Sequence, residues 1–499
     1  MSITGGYHQR TKHTAESVRV PHHLDWGNRP LSFKFYPGVE PFPLPVDLPE
    51  STMPATEVLS GRTAPKAGAV DIFQLARLLF FSAGVTRRVG RGGGTTFFRA
   101  APSAGALYPI ELYVVCRELA GLEAGVYHFG PIDFALRRLR SGDWRSGLAD
   151  SPVVLVLTGI PWRTTWKYRE RGYRHLFWDS GVILANLLAV AESAGLPATV
   201  LGGFVDEQVA RLLDLGDPLE YPLALVGLGE PEARAEDDTS IPEPLSLEVQ
   251  PLSPRPVGYP MLEETHRAGM LGSAAEVAEW REAARATGPV ATLGHTEPPA
   301  GRGIGTIEEV ILQRGSTRRF SREEISQQAL AWALAVAGRP VPADFVAPDR
   351  SLIERFLTVH AVDQVATGAY RWTPDGLEPI HRQASRERSA YLCLGQELGG
   401  DAAATVYLAA DLAPILGALG DRGYRMAQLE AGIVSGRLHL AAYAIGLGAT
   451  GLTFFDDEVR DHFGTEAEPM LVTALGVPAY RARRGKRPGE VRPLRLVAS

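Results

Sequence analysis

The sequence predicts an α+β sandwich built twice in one chain. Three observations predict it: a gapless internal repeat, strands alternating with helices in each copy, and a middle stretch rich in proline and charge. "RGYRHLFWDSGVILANLLAVAESAGLPATVLGGFVD" starts at Arg171 and "RGYRMAQLEAGIVSGRLHLAAYAIGLGATGLTFFDD" starts at Arg422, an offset of 251 residues that runs on to Asp206 and Asp457. Arg171, Gly172, Tyr173, Arg174, Gly181, Leu187, Gly195, Leu196, Thr199 and Phe204 recur in place. Unrelated amphipathic helices share leucines by chance, but not RGYR, GL and AT at one fixed offset. Each copy reads as a long apolar helix that stops at Gly195 or Gly446, where glycine permits the left-handed C-terminal turn, and a strand follows. Upstream, "IELYVV" and "SPVVLVLTG" in the first copy match "RFLTVHAV" and "AATVYLAADL" in the second as apolar strands. Residues 229–303 read as a linker with one helix over 274–285, which leaves a first domain at 1–228 and a second at 304–499.

Composition agrees with two domains, since 499 residues with 45% hydrophobic content exceed what one core normally holds. The net charge is -6, without long runs of one sign, so neither nucleic acid nor an anionic membrane is the expected partner. The N-terminal residues are polar, and no run reaches the roughly 18 apolar residues of a membrane span, so the expected location is cytoplasmic. Cys116 and Cys393, each in an apparent strand, cannot build a disulfide framework or a cysteine metal site. The 12 histidines lack HxxxH or HExxH spacing, so no metal site is expected.

The two copies differ where chemistry would sit. "QRGSTRRFSREEIS" opens the second half with Arg314, Ser316, Arg318 and Phe320 as an R-x-S-x-R-x-F run before a helix, and "GRTAPKAG" in the first half has no such run. Cations and a hydroxyl on a turn beside a helix suit a phosphate. Conversely "PSAGALYP", Pro102 to Pro109, has no counterpart after "AWALAVAGRPVPADF". Each motif also has a plain reading: a helix cap with solvated arginines, or a tight turn into a strand. The glycine runs at 90–95 and 301–305 lack Walker or dinucleotide spacing and read as loops.

These motifs resemble the nitroreductase-like flavoproteins, and "PSAGALYPIELYVV" with "WKYRERGYR" is similar to the SagB/ThcOx azoline dehydrogenase branch. The resemblance covers nearly all the chain as two copies. It implies two fused nitroreductase-like, FMN-dependent sandwich domains forming an intramolecular pseudo-dimer, with FMN at their interface. By the same resemblance the flavin lies against Pro102, Ser103, Ala104 and Gly105, Arg314 and Ser316 hold the phosphate, and Arg318 faces the N1/O2 edge. Arg484 or Arg487 in "RARRGKR" would join the phosphate grip. Thr453 and Phe454 stand where the family often has a small or acidic pair, and the first-half equivalents are Gly202 and Gly203. The expectation is one complete composite site and one decayed one.

Lys167 and Tyr168 match the family's lysine-tyrosine pair, whereas the second copy has Ala418 and Leu419 at that offset. Azoline oxidation removes an acidified α-proton and a hydride. A lysine made neutral by desolvation and by cations such as Arg169, Arg171 or Arg174 would take the proton, with Tyr168 relaying it or orienting the ring. A basic turn leading into the helix is the plain alternative. The resemblance implies an FMN-dependent oxidoreductase acting on an azoline or similar heterocycle in a modified peptide, with dioxygen as acceptor and a cyclodehydratase as possible partner. An NAD(P)H-dependent nitro- or quinone reductase, and a non-catalytic docking subunit of a peptide-modifying assembly, stay open beside it.

Overall fold

A computed structural model describes residues 2–490 except 63, 65–68, 92–93, 217–218, 233–241, 290–295, 300–302 and 304. The first half forms a seven-stranded antiparallel sheet in the order 41–43, 135–141, 125–130, 110–116, 153–159, 221–228, 198–201. The second half repeats all of these but 41–43 in the same order: 376–381, 368–373, 354–359, 404–410, 468–476, 448–452. Strands 110–116 and 153–159 are buried along their whole length, as are 404–410 and 468–476, which accounts for their continuous apolar runs. One apolar core runs through both halves.

The helices Gly172–Ser193 and Leu412–Ala444 form its axis. Both stop where the glycines predict, with φ +65° at Gly195 and +78° at Gly446. They cross at Gly181 and Gly432, the same position in each copy. A Cβ at Gly181 would lie 2.6 Å from the Gly432 Cα, so the backbones touch and the crossing is the local pseudo-twofold point. Trp178 closes one side by donating from Nε1 to Gln428 Oε1 at 2.6 Å.

The RGYR repeat locks the halves across this axis. Arg171 and Arg174 donate to Asp456 of the second half at 3.0 and 2.8 Å, and Arg422 and Arg425 donate to Asp206 of the first at 2.5 and 3.1 Å. Phe204 and Phe454 lie under the guanidinium groups of Arg422 and Arg171 at 4.4 and 5.1 Å. The acid equivalent to Asp206 is therefore Asp456, not Asp457. The turn from Leu201 to Asp206 is one residue longer than that from Leu452 to Asp456, which ends the strict offset.

The stretch read as linker carries two helices, Pro260–Ala268 and Ala274–Ala284. The first is a counterpart of Ile3–Arg10. Arg174 donates to the His8 carbonyl and Arg171 to that of Thr11, while Arg425 donates to that of His266 and Arg422 to that of Gly269. The His13 and Leu271 amides then donate to Asp456 and Asp206. All three backbone pairs share an offset of 258 residues, so the second copy begins by residue 260.

Three sequence expectations change. The run Pro161–Ser193 does meet the length and hydropathy of a membrane span, but 94% of its apolar window is buried inside the protein, so its apolar surface is already covered. Cys393 ends helix Arg386–Leu392 instead of lying in a strand. Gly90 and Gly94 lie in the paired strands Val85–Arg91 and Gly94–Arg99 instead of a loop, and 92–93 lie outside the described residues; most of 301–305 and of 61–68 also lies outside them.

Candidate active site

The hairpin 85–99 delivers the chain to the small-residue loop, and strand Ile110–Cys116 takes it away. Ser103 ties the loop down. Its hydroxyl donates to Asp179 at 2.5 Å and accepts from the Tyr108 amide at 2.9 Å, while the Ala104 amide donates to the other Asp179 oxygen at 3.2 Å. Three loop residues have left-handed backbones: Gly105 at φ 64°, Ala106 at 54° and Tyr108 at 50°. Such conformations persist where the surroundings impose them, which is common at functional sites. Asp179 is buried, and burial pushes its carboxyl up to about 7 against the stabilising donations of Ser103 and Ala104.

Lys167 and Tyr168 close the helix Pro161–Tyr168. Arg163 of that helix donates to Glu111 at 2.5 Å, to the Tyr108 carbonyl at 3.0 Å and to the Leu31 carbonyl at 2.7 Å, which fixes the helix to the strand following the loop. Arg169, at φ 49°, then turns the chain toward the core helix. A Cβ at Gly105 would lie 3.0 Å from the Tyr168 hydroxyl and 3.1 Å from the Lys167 Nζ, so both side-chain ends rest against the loop. Tyr168 stacks on His175 with centroids 4.1 Å apart, and burial lowers His175 to about 3, leaving it neutral at pH 7.

The second half supplies the cations. Arg314 is buried and donates to the Ala100 carbonyl of the first half at 2.8 Å, but its Nη1 has no hydrogen-bond partner, and burial lowers its pKa to about 10. Ser316 is half-buried beside it, and Arg318 is exposed. Burial lowers the Lys167 pKa, followed by the fields of Arg29 and Arg318. Burial and then Asp179 raise that of Tyr168, against Arg318. The cations facing Lys167 are thus Arg29 and Arg318, not its sequence neighbours. Arg171 and Arg174 are committed to Asp456, and Arg169 bonds His22 and the Pro21 carbonyl.

The R-x-S-x-R-x-F run lies past the C-terminal end of helix Ile307–Gln313, not at a helix N-terminus. Thr317 donates to the Ala449 carbonyl at 2.9 Å and Phe320 bridges Pro478, which keeps the run extended until helix Gln327–Ala337. Arg484 lines a hollow of about 450 Å³ with Gln313, Thr317, Tyr443 and Tyr480, and pairs with Glu309 at 3.4 Å. Arg487 turns away to Glu50. The structure therefore gathers Pro102 to Gly105, Lys167, Tyr168, Arg314 and Arg318 about one interface, with Arg484 beside the run and Arg487 outside.

Two residues of this site escaped sequence reasoning. Asp179 had a signal: Glu430 stands at the same repeat position and accepts from the Ser351 hydroxyl at 2.6 Å and the Leu352 amide at 2.9 Å, as Asp179 does from Ser103 and Ala104. The second half thus keeps the clamp without the PSAGALYP sequence. Arg29 had none, because it arrives on an N-terminal arm with no motif.

Comparison with known proteins accords with this geometry. The profile of the Nitroreductase family matches residues 71–230 and 311–477, one segment in each half. MJ1384 of Methanocaldococcus jannaschii, which carries a nitroreductase name, is 32% identical over 166 residues, covering 31% of this chain and 79% of that protein. The microcin B17-processing protein McbC of Escherichia coli is 33% identical over 149 residues (26% of this chain), and the trifolitoxin-processing protein TfxB of Rhizobium leguminosarum bv. trifolii is 31% identical over 176 (32% of this chain). The chain spans only about half the length of these two, 54% and 47%. A crystal structure from Anabaena variabilis ATCC 29413, also named for a nitroreductase, is 28% identical with a TM-score of 0.76 over 96% of this chain and all of that one. Family members generally use flavin cofactors. With both halves matched by the profile and the paired arrangement shared along nearly the whole chain, this protein belongs to the Nitroreductase family as a tandem form.

Proposed function

We propose that the protein is an FMN-dependent dehydrogenase of the SagB/ThcOx type that oxidises an azoline or comparable heterocycle in a modified peptide to the azole, with dioxygen as acceptor. The observation that carries this reading is the placing of Lys167 and Tyr168 against Gly105, with Arg318 of the other half acting on both. The matches to McbC and TfxB support the SagB-type branch and a peptide substrate.

The residues fit a flavin mononucleotide. Arg314 is a buried cation whose unpartnered Nη1 leaves two N–H donors to spare, which suits the phosphate, with Ser316 next to it and Arg484 in the adjoining hollow. Pro102 to Gly105 carry little side-chain bulk, so a planar ring can approach their backbone. Arg318 would stabilise negative charge on the ring. When bound, the flavin would accept a hydride from the substrate and pass the two electrons to dioxygen.

The chain's own part is the proton. Lys167, whose pKa is lowered by burial and then by Arg29 and Arg318, takes the acidified α-proton at Nζ. Tyr168 stays protonated and donates through its hydroxyl, oriented by its stack on neutral His175.

Visible absorption and released-flavin quantification of the purified protein test the cofactor, and Lys167→Ala tests the base. Expected are bound FMN, and a variant that retains FMN but does not turn over an azoline peptide. No flavin after incubation with excess FMN, or undiminished turnover by the variant, overturns the reading.

A further inference from the structure

The duplication creates a second place related to the first by the repeat. Its walls are Ala418 and Leu419 for Lys167 and Tyr168, Glu430 with Ser351 and Leu352 for Asp179 with Ser103 and Ala104, and Gly202 and Gly203 from the first half. We infer that this place takes no flavin because the chain fills it with its own helix Ala274–Ala284, Trp280 standing where a ring would lie. The inference rests on the reading of the first place as the flavin site.

The Leu419 wall and the Gly202–Gly203 wall meet the helix or its partners. Trp280 is 7% exposed, and its Nε1 donates to the carbonyl of Leu419, the counterpart of Tyr168, at 3.1 Å. A Cβ at Gly203 would lie 3.0 Å from the Trp280 ring, and one at Gly202 would lie 3.3 Å from it and 3.2 Å from Phe345. The next residue, Arg281, donates to the Gly203 carbonyl at 2.7 Å and to Asp344 at 2.8 Å. Asp344 in turn accepts from the amides of Gly202 at 2.6 Å and Gly203 at 3.2 Å. The amides of Gly202 and Gly203 and the space beside them are therefore taken by protein groups. The lysine-tyrosine pair is missing as well.

The first place is treated differently by the equivalent piece of chain. Helix Ala274–Ala284 follows Pro260–Ala268 as the N-terminal arm follows Ile3–Arg10. That arm stays outside: residues 14–23 are exposed, His22 bonds the Trp166 carbonyl at 3.1 Å, and Trp166 donates to the Asp25 carbonyl at 2.9 Å. One copy of the element plugs its place and the other runs along the rim.

The test combines flavin stoichiometry with amide hydrogen exchange of the full chain, with and without excess FMN. Expected are no more than one FMN per chain, none after Arg314→Ala with Arg318→Ala, and slow exchange across 274–284 and at Gly202 and Gly203 that FMN does not alter. Two FMN per chain, flavin retained by the double variant, or faster exchange across 274–284 on adding FMN would overturn the inference. A wild type without flavin whose 274–284 amides remain protected would instead overturn the reading of the first place and support the plug.

Discussion

Asp456→Asn is the sharpest perturbation of the lock between the halves. The Asp456 carboxylate is fully buried and accepts from Arg171 at 3.0 Å, from Arg174 at 2.8 Å and from the His13 amide at 2.8 Å, and the two arginines are themselves 4% and 0% exposed. Asparagine keeps the shape, but it removes the negative charge that Asp456 places between two buried cations and puts a donor where one acceptor stood. Breaking a buried pair in this way costs about 3–5 kcal/mol. Urea unfolding followed by tryptophan fluorescence should show that loss, and Asp206→Asn should cost as much because Arg422 and Arg425 are equally buried. The pH dependence adds a signed check. Burial raises the Asp456 pKa, but Arg171 and Arg174 outweigh it and hold the group near 2, below its ordinary 3.8. Its contribution is therefore complete above about pH 4 and is lost as pH falls toward 2, so the acid limb of wild-type stability should be steeper than that of the variant. A urea midpoint unmoved by Asp456→Asn would refute the lock.

Arg318→Ala removes a cation that lowers the Lys167 pKa, so the ascending limb of the pH–rate profile should move to higher pH, and Arg318→Lys should restore it. Gly105→Ala forces a side chain into a left-handed position at a cost of about 1–2 kcal/mol. Its methyl would crowd the Lys167 Nζ and the Tyr168 hydroxyl, so kcat should fall along with the urea midpoint. Gly181→Ala drives a methyl into the Gly432 backbone and should cost about 1–3 kcal/mol of unfolding free energy as the core helices part. Gly417→Ala, at an exposed helical position with open space around it, is the contrasting control and should raise stability by about 0.5–1 kcal/mol.

The duplication, its strands and the split of motifs between the halves are legible because they rest on side-chain identity at fixed spacing. The start of the second copy is not. Pro260–Ala268 and Ile3–Arg10 share a role through the carbonyls of His8 and His266 and of Thr11 and Gly269, and a backbone oxygen places little demand on residue type. The partners of Lys167 are hidden for a different reason. Arg169, Arg171 and Arg174 are near in sequence, but two of them face buried Asp456, while Arg29 and Arg318 come from distant segments that only the folded interface brings close.

Fusing the two copies changes what mutation can reach. In a pair of identical chains, any substitution appears on both sides of the symmetry axis, so a lysine-tyrosine pair gained at one interface is gained at the other. Once both copies share one chain, the Gly181–Gly432 crossing and the paired arginine locks can stay symmetric for assembly while the rims drift apart. Lys167 and Tyr168 can then persist in one copy while Ala418, Leu419 and Trp280 accumulate around the other, a division of labour that only covalent linkage lets selection see.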